Sequence, residues 1–344
     1  MISMNLQQAA LVLECDIPET DVSFTGITSD SRKVAPGMLF AALSGGNFDG
    51  HDYVDQAMAD GAVAALVCKD VDGSLPALKV ADVLQALGTL AAYWRSQCPA
   101  KVIGITGSNG KTTVKEMIAS ILQNTGSVLA TEGNFNNELG VPLTLFRLDK
   151  NNEYAIVEMG AANPGDIAYL ADIARPDIGV ITNVGPAHLQ GFLSIEGVAA
   201  AKGELYAALP ADGTAVINAS EPWVESWQRV NTAGTSYFFN AEGSNAEGSD
   251  VHARQLDGST VVTTPLGEFP LQLPLPGEHN LSNALAATAV CLALGISLAD
   301  IRYGLEAVKP VPGRLSMMTA AGGWTIIDDT YNANPASLYA ALQV

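Results

Sequence analysis

Lys111 and Thr112 close a glycine loop, Thr106-Gly-Ser-Asn-Gly-Lys-Thr-Thr113, whose residue types and spacing suit a nucleoside triphosphate. Glycines at 107 and 110 let the amides of Gly107, Ser108, Asn109 and Gly110 approach phosphate oxygens, and the Lys111 ammonium can reach the outer phosphates. A hydroxyl from Thr112 can ligate Mg²⁺, and Thr113 extends the same polar turn. The longer G-x-x-x-x-G-K-[ST] pattern is not met, because Ile105 stands where its first glycine belongs. The plain alternative is a glycine turn with a surface lysine. Glu158, which ends one apolar run, and His188, just past another, add a carboxylate and an imidazole of the kind that hold metal ions.

These residues need a strand, a loop and a helix start to position them. Val102–Thr106 is an apolar run of strand length, and Val114, Met117, Ile118, Ile121 and Leu122 recur on one helical face. From Lys101 to Asn183 strand-like and helix-like segments alternate, which predicts an α/β fold with a parallel sheet covered by helices and ligands at the carboxyl ends of its strands. Glu158 and His188, if both sit at that edge, converge with Lys111 on one crevice.

Residues 1–97 read as a small mixed α/β domain, with strands in 38–43 and 62–67 and a helix carrying Leu84, Leu87, Leu90, Ala91 and Trp94. Ser96-Gln-Cys-Pro-Ala100 breaks that helix and marks the first boundary. Residues 98–312 form the central domain, in which 240–250 is a polar loop between strands at 236–239 and 260–263. From 313 to 344 a strand at 324–328, a turn and a helix from Ala336 are expected. So short a piece does not bury a core of its own, and it reads as the opening of an incomplete third, Rossmann-like domain.

With 17 Lys+Arg against 36 Asp+Glu the formal charge is −19, which excludes nucleic-acid binding through a general basic surface. Any bound anion must be held by local donors. Hydrophobic residues make up 48% of the chain and charged ones 15%, the balance of a packed globular protein. Cys15, Cys68, Cys98 and Cys291 are scattered and read as buried, reduced thiols. No secretory signal is visible, and the longest apolar stretch, 284–296, is too short to cross a bilayer, so a cytoplasmic protein without a membrane span is expected.

Several motifs together resemble the Mur ligases, ATP-dependent amide-bond-forming enzymes of peptidoglycan precursor synthesis. They are the shortened loop, Thr131-Glu-Gly-Asn-Phe-Asn-Asn-Glu-Leu-Gly-Val-Pro142, Glu158-Met-Gly-Ala161, Ile181-Thr-Asn-Val-Gly-Pro-Ala-His-Leu189 and Ala201-Lys-Gly-Glu204. Gly277-Glu-His-Asn-Leu-Ser-Asn283, Pro312-Gly-Arg314 and Asp328-Asp-Thr-Tyr-Asn-Ala-Asn-Pro335 continue the series. The resemblance implies that Lys111 and the loop amides hold the β- and γ-phosphates of ATP, that Thr112 and Glu158 ligate one Mg²⁺, and that His188 takes a second. It also implies that Lys202 is carbamylated and helps hold the second ion. An ordinary strand-end carboxylate, loop histidine and helix lysine are the plain alternatives for these three residues.

Asn280 and Asn283 match adenine-contacting asparagines, with helix N-capping as their plain alternative. Arg314 matches an arginine that reaches the nucleotide, and Asp329 a residue that contacts ribose. Ser29, Ser31 and Arg32 resemble a segment that meets a UDP-sugar, where the plain reading is a turn with a surface salt bridge. Asn136 and Asn137 match a substrate-facing loop. The implied substrates are UDP-N-acetylmuramoyl-tripeptide (UDP-MurNAc-tripeptide) and D-alanyl-D-alanine, joined by a monomer through an acyl phosphate; this chain by itself is expected to turn over poorly. A folylpolyglutamate synthetase-like ligase and a non-catalytic nucleotide-binding module are the competing readings.

Overall fold

The computed structural model describes residues 1–46, 48–71, 75–186, 189–241, 248–256, 258–332 and 335–342. They form two compact units, one of residues 1–100, 131–152 and 172–175, the other of residues 101–130, 153–171 and 176–344.

The first unit is built on a four-stranded parallel sheet, in the order Ile27–Thr28, Leu39–Ala41, Ala64–Val67, Ala77–Lys79. Leu39–Ala41 and Ala64–Val67 are buried at every position, which is why they read as continuous apolar runs rather than alternating ones. Phe40, Val54, Ala57 and Val67 pack in one cluster of this unit's core. The helix Val83–Ser96 starts at Asp82, whose carboxylate accepts from the amides of Leu84 and Gln85, and it buries Leu87, Leu90, Ala91 and Trp94. The buried His51 accepts a hydrogen bond at Nε2 from the Cys68 amide (3.0 Å) while Nδ1 meets Asp49, tying its loop to the end of a strand.

A nine-stranded sheet organises the second unit. Its spatial order is Val128–Ala130, Tyr154–Glu158, Lys101–Thr106, Ile178–Ile181, Thr214–Asn218, Thr235–Asn240, Val251–Leu256, Ser259–Thr264, Gly267–Leu271. Pairing is parallel as far as Val251–Leu256 and antiparallel for the last two strands. The parallel sheet expected from the alternating pattern is therefore present. Val251–Leu256, which lies between the polar loop 240–250 and the strand expected at 260–263, was missed. The helix Lys111–Leu122 buries Val114, Met117, Ile118, Ile121 and Leu122 and packs against Glu278–Ala293. Both helices contribute to the main core of this unit.

Near the end of the chain Ser316–Thr319 pairs antiparallel with Thr325–Asp328, and the helix Pro335–Leu342 follows. This hairpin leaves Met317, Met318, Ile326 and Trp324 exposed, the last at 75%. The cysteine expectation is corrected: Cys98 and Cys291 are buried, but Cys68 is exposed and Cys15 half-exposed, all four as free thiols. No helix among the described residues is long and apolar enough to cross a membrane.

Candidate active site

The glycine loop leaves the carboxyl end of the central strand Lys101–Thr106 and enters the helix at Gly110, which has φ +82° and no side-chain cap. A left-handed glycine at this point turns the first amides of the helix outward without a competing acceptor, the arrangement that binds phosphate. A Cβ at Gly110 would lie 2.5 Å from Asn283 Oδ1, so a larger residue would displace the Asn283 side chain in addition to straining the backbone. The loop is braced by residues just past the neighbouring strand Ile178–Ile181. The Asn109 amide donates to Asn183 Oδ1 (2.9 Å), Thr182 Oγ1 donates to the Asn109 carbonyl (2.6 Å), and the Gly185 amide donates to Ser108 Oγ (2.8 Å).

Behind the loop lies Glu158, the last residue of Tyr154–Glu158 and only 1% exposed. Its strand pairs in parallel with Lys101–Thr106, Glu158 opposite Ile105, which sets the carboxylate beside the head of the helix. Thr112 Oγ1 donates to Glu158 Oε2 (3.3 Å) and accepts from Arg314 Nη2 (2.9 Å). The Arg314 guanidinium also stacks 4.1 Å from the centre of the Tyr331 ring. Lys111 Nζ donates to the Gly107 carbonyl (2.8 Å). Burial holds the Lys111 ammonium below its ordinary pKa; Arg314 pushes the same way and Glu158 opposes. Thr113 follows in the first turn, half-buried.

Lys202 sits in the helix Ile195–Ala207, 4% exposed, and burial with Lys111 nearby lowers its pKa to about 7. At neutral pH a substantial share of this amine is therefore uncharged, the form that is nucleophilic. The buried Tyr206 on the same helix accepts from the Ile181 amide and donates to the Val216 carbonyl, fastening the helix to two strands of the sheet.

Asn280 and Asn283 are buried on the helix Glu278–Ala293, next to the loop. Asn280 Nδ2 donates to the Pro276 carbonyl (2.7 Å), and Asn283 Nδ2 to Asn280 Oδ1 (3.2 Å). The capping alternative does not hold for Asn280: Gly277 occupies the cap, with φ +96°. Asp329 accepts from the Leu315 amide (3.3 Å), close to Arg314 in sequence.

In the first unit Asp30 caps the turn Ser31–Lys33 and binds Arg32 through two hydrogen bonds, 2.8 and 2.9 Å. Arg32 lowers the Asp30 pKa. Ser29 precedes this pair and Ser31 lies between its members, both half-buried. Asn137 Oδ1 accepts from the Gly140 amide at the start of Gly140–Phe146, and the Asn136 amide donates to the Asn134 carbonyl. His188 lies outside the described residues.

The structure thus brings Lys111, Thr112, Glu158 and Arg314 together in the second unit. Thr182, Asn183 and a buried lysine, Lys115, belong to the same neighbourhood and were not singled out from sequence. The signal for the first two was a polar pair directly after an apolar strand, at the edge where ligands bind. The donor set fits Mg²⁺, since the Thr112 hydroxyl and the buried Glu158 carboxylate are hard oxygen ligands. Such an ion takes few protein ligands when phosphates supply the rest.

A glycine-loop ATPase-type sheet with this set of residues defines a class, and the comparisons agree with it. Residues 105–291 match the Mur ligase middle domain and residues 23–95 the Mur ligase family catalytic domain. The chain belongs to the Mur ligase family. Among its relatives is the UDP-N-acetylmuramoyl-tripeptide–D-alanyl-D-alanine ligase of Escherichia coli (strain K12), 44% identical over an alignment covering all of this chain and 76% of the relative. A MurF crystal structure from Acinetobacter baumannii superposes with a TM-score of 0.91 at 39% identity, over 100% of this chain and 76% of that one. MurF from Thermotoga maritima, solved in complex with ADP, gives 0.82 at 32% identity, over 92% and 74%.

Proposed function

We propose that this chain carries the ATP-using and UDP-substrate-binding parts of a ligase that joins D-alanyl-D-alanine to UDP-MurNAc-tripeptide. The observation that carries the ATP half is Thr112, at the head of a glycine-capped helix, bonded to a buried strand-end carboxylate. The substrate half rests on relatives named for that reaction and matched along the whole chain. Those matches, along the whole of this chain, favour it over the folylpolyglutamate synthetase reading. A switch module is disfavoured because it needs no buried lysine with lowered pKa beside the phosphate loop.

In this reading Lys111 and the amides of Gly107–Thr113 hold the β- and γ-phosphates. Asn280 and Asn283 face adenine, and Arg314 and Asp329 face the phosphate and ribose. When bound, Mg²⁺ neutralises phosphate charge, with Thr112 and Glu158 as its protein ligands and His188 and Lys202 as those of a second ion. A carboxylate oxygen of the tripeptide attacks the γ-phosphorus, the bond to ADP breaks, and an acyl phosphate results. The dipeptide amine then attacks the acyl carbon, phosphate departs and a proton is lost, leaving the amide.

Lys202 would act as a carbamate: its neutral nitrogen attacks CO₂, an N–C bond forms, and one proton leaves. Its lowered pKa supports this, because the uncharged amine is the reactive form. Ser29, Ser31, Arg32, Asn136 and Asn137 would face the UDP-sugar. The divisions at 97 and 312 belong to the same proposal, as do a monomeric state and the cytoplasmic setting in which ATP is available. The matched family models, ending at 95 and beginning at 105, support the first division.

The test is product formation: the chain completed to the length of its relatives, given ATP, UDP-MurNAc-tripeptide and D-alanyl-D-alanine, yields the UDP-MurNAc-pentapeptide by mass. No pentapeptide under these conditions overturns the proposal.

A further inference from the structure

The central strand Lys101–Thr106 ends on a hydroxyl that the fold does not use. Thr106 is fully buried, and among the described residues its Oγ1 has no hydrogen-bond partner. Valine has nearly the same shape and would fill the place without leaving a buried polar atom unpaired, so a threonine here calls for a group that its hydroxyl can meet.

Strand alternation places that hydroxyl. Ile103 and Ile105 pack into the core shared with the helices Lys111–Leu122 and Glu278–Ala293, so Gly104 and Thr106 face the other side of the sheet. On that side a Cβ at Gly104 would lie 3.1 Å from Leu205 Cδ1, and one at Gly179, its neighbour on the next strand, 3.0 Å from Leu205 Cγ. The helix Ile195–Ala207 belongs to the crossover between the parallel strands Ile178–Ile181 and Thr214–Asn218, so it runs back against their direction. One turn before Leu205 it carries Lys202, displaced from Leu205 toward the carboxyl edge of the sheet as Thr106 is displaced from Gly104. The Lys202 amine also lies near Lys111, whose ammonium bonds the carbonyl of Gly107, the residue after Thr106.

We propose that Thr106 is a positioning residue for the carbamate of Lys202, its hydroxyl donating to one carbamate oxygen and fixing how that anion is turned. This rests on the carbamate reading above. An anion with two acceptor oxygens, formed in a buried place, needs donors, and a hydroxyl bonded to a charged group changes an equilibrium constant by about tenfold.

The test titrates the carbamate resonance of this chain with ¹³C-bicarbonate at one pH, without nucleotide. Thr106→Val is expected to need about tenfold more bicarbonate for half occupancy, whereas Thr106→Ser, which keeps the hydroxyl, stays within about twofold of wild type. Without bicarbonate, Thr106→Val should unfold in urea at a midpoint no lower than wild type, because it removes an unpaired buried hydroxyl. Thr106→Ala carries the titration if Thr106→Val does not fold. Half occupancy at the wild-type bicarbonate concentration in the variant lacking the hydroxyl, or a lower Thr106→Val midpoint, overturns the inference. If the wild type itself gives no carbamate resonance, the carbamate reading fails and the inference with it.

Discussion

Arg314 donates from Nη2 to Thr112 Oγ1 at 2.9 Å, joining the segment that follows the central sheet to the first turn of the phosphate-loop helix. The same hydroxyl donates to Glu158, so one oxygen links a cation and an anion that are 156 positions apart in sequence (314 − 158). A metal ion on the second lone pair of the Thr112 hydroxyl withdraws electron density from that oxygen and repels the Arg314 guanidinium. The two states of Thr112 are therefore distinguishable. A double-mutant cycle of Thr112→Val and Arg314→Ala, read by urea denaturation, is expected to give a coupling of about 1 kcal/mol without ligand. That coupling should disappear in Mg²⁺–ADP, and its persistence there would contradict the assignment of Thr112 to the metal.

Lys111 is expected to be required for the reaction and dispensable for folding, since it is half-buried and, among the described residues, its Nζ bonds the Gly107 carbonyl alone. Lys111→Ala should lower phosphate release at least ~100-fold, about 3 kcal/mol of transition-state stabilisation. Its melting temperature should stay within about 2 °C of wild type. Steady-state kinetics and calorimetry check both.

Lys202 couples stability to pH. Its folded pKa of about 7 lies below the ordinary lysine value of 10.5, so the folded state binds fewer protons than the unfolded one between these limits. Its unfavourable contribution is absent above pH 10.5, grows as pH falls, and is complete below 7. Lys202→Met removes that dependence, and its stability relative to wild type should rise by about 1–3 kcal/mol between pH 9.5 and 6.5. Denaturant melts at several pH values measure the slope. In ¹³C-bicarbonate the wild type should show a carbamate carbonyl resonance that Lys202→Met lacks.

Gly110→Ala should be costly for two reasons that act together. The residue needs φ +82°, and its Cβ would press on Asn283 Oδ1. A loss of about 1–3 kcal/mol is expected, with ADP affinity reduced at least about tenfold because the loop amides move. Chemical denaturation and calorimetry read the two effects separately.

Much of this site is local in sequence and was legible there. Gly107, Gly110, Lys111 and Thr112 are contiguous, and the apolar run before them and the helical face after them declare the strand and helix. Glu158 could be placed because an apolar strand in a parallel sheet ends at the ligand edge. What depended on distant partners was not legible. Lys115, inside Val114-Lys-Glu-Met117, reads as a solvated position until Glu158 arrives from another strand to match its charge. The strand Val251–Leu256 was hidden because its alternation, Val251-His-Ala-Arg254, is short and fails at Gln255, and its place in the sheet comes from pairing with Ser259–Thr264. Nothing local in Ser29–Arg32 distinguishes a substrate contact from the Asp30–Arg32 pair that forms there.

The central claim is that ATP is consumed in making an acyl phosphate, and the fate of one oxygen tests it most directly. UDP-MurNAc-tripeptide labelled with ¹⁸O in its reacting carboxylate is supplied with ATP and D-alanyl-D-alanine to the chain completed to its relatives' length. The released phosphate should carry one labelled oxygen per turnover, because the attacking carboxylate oxygen leaves with phosphorus when the amine displaces it. Unlabelled phosphate accompanying amide formation would contradict the account.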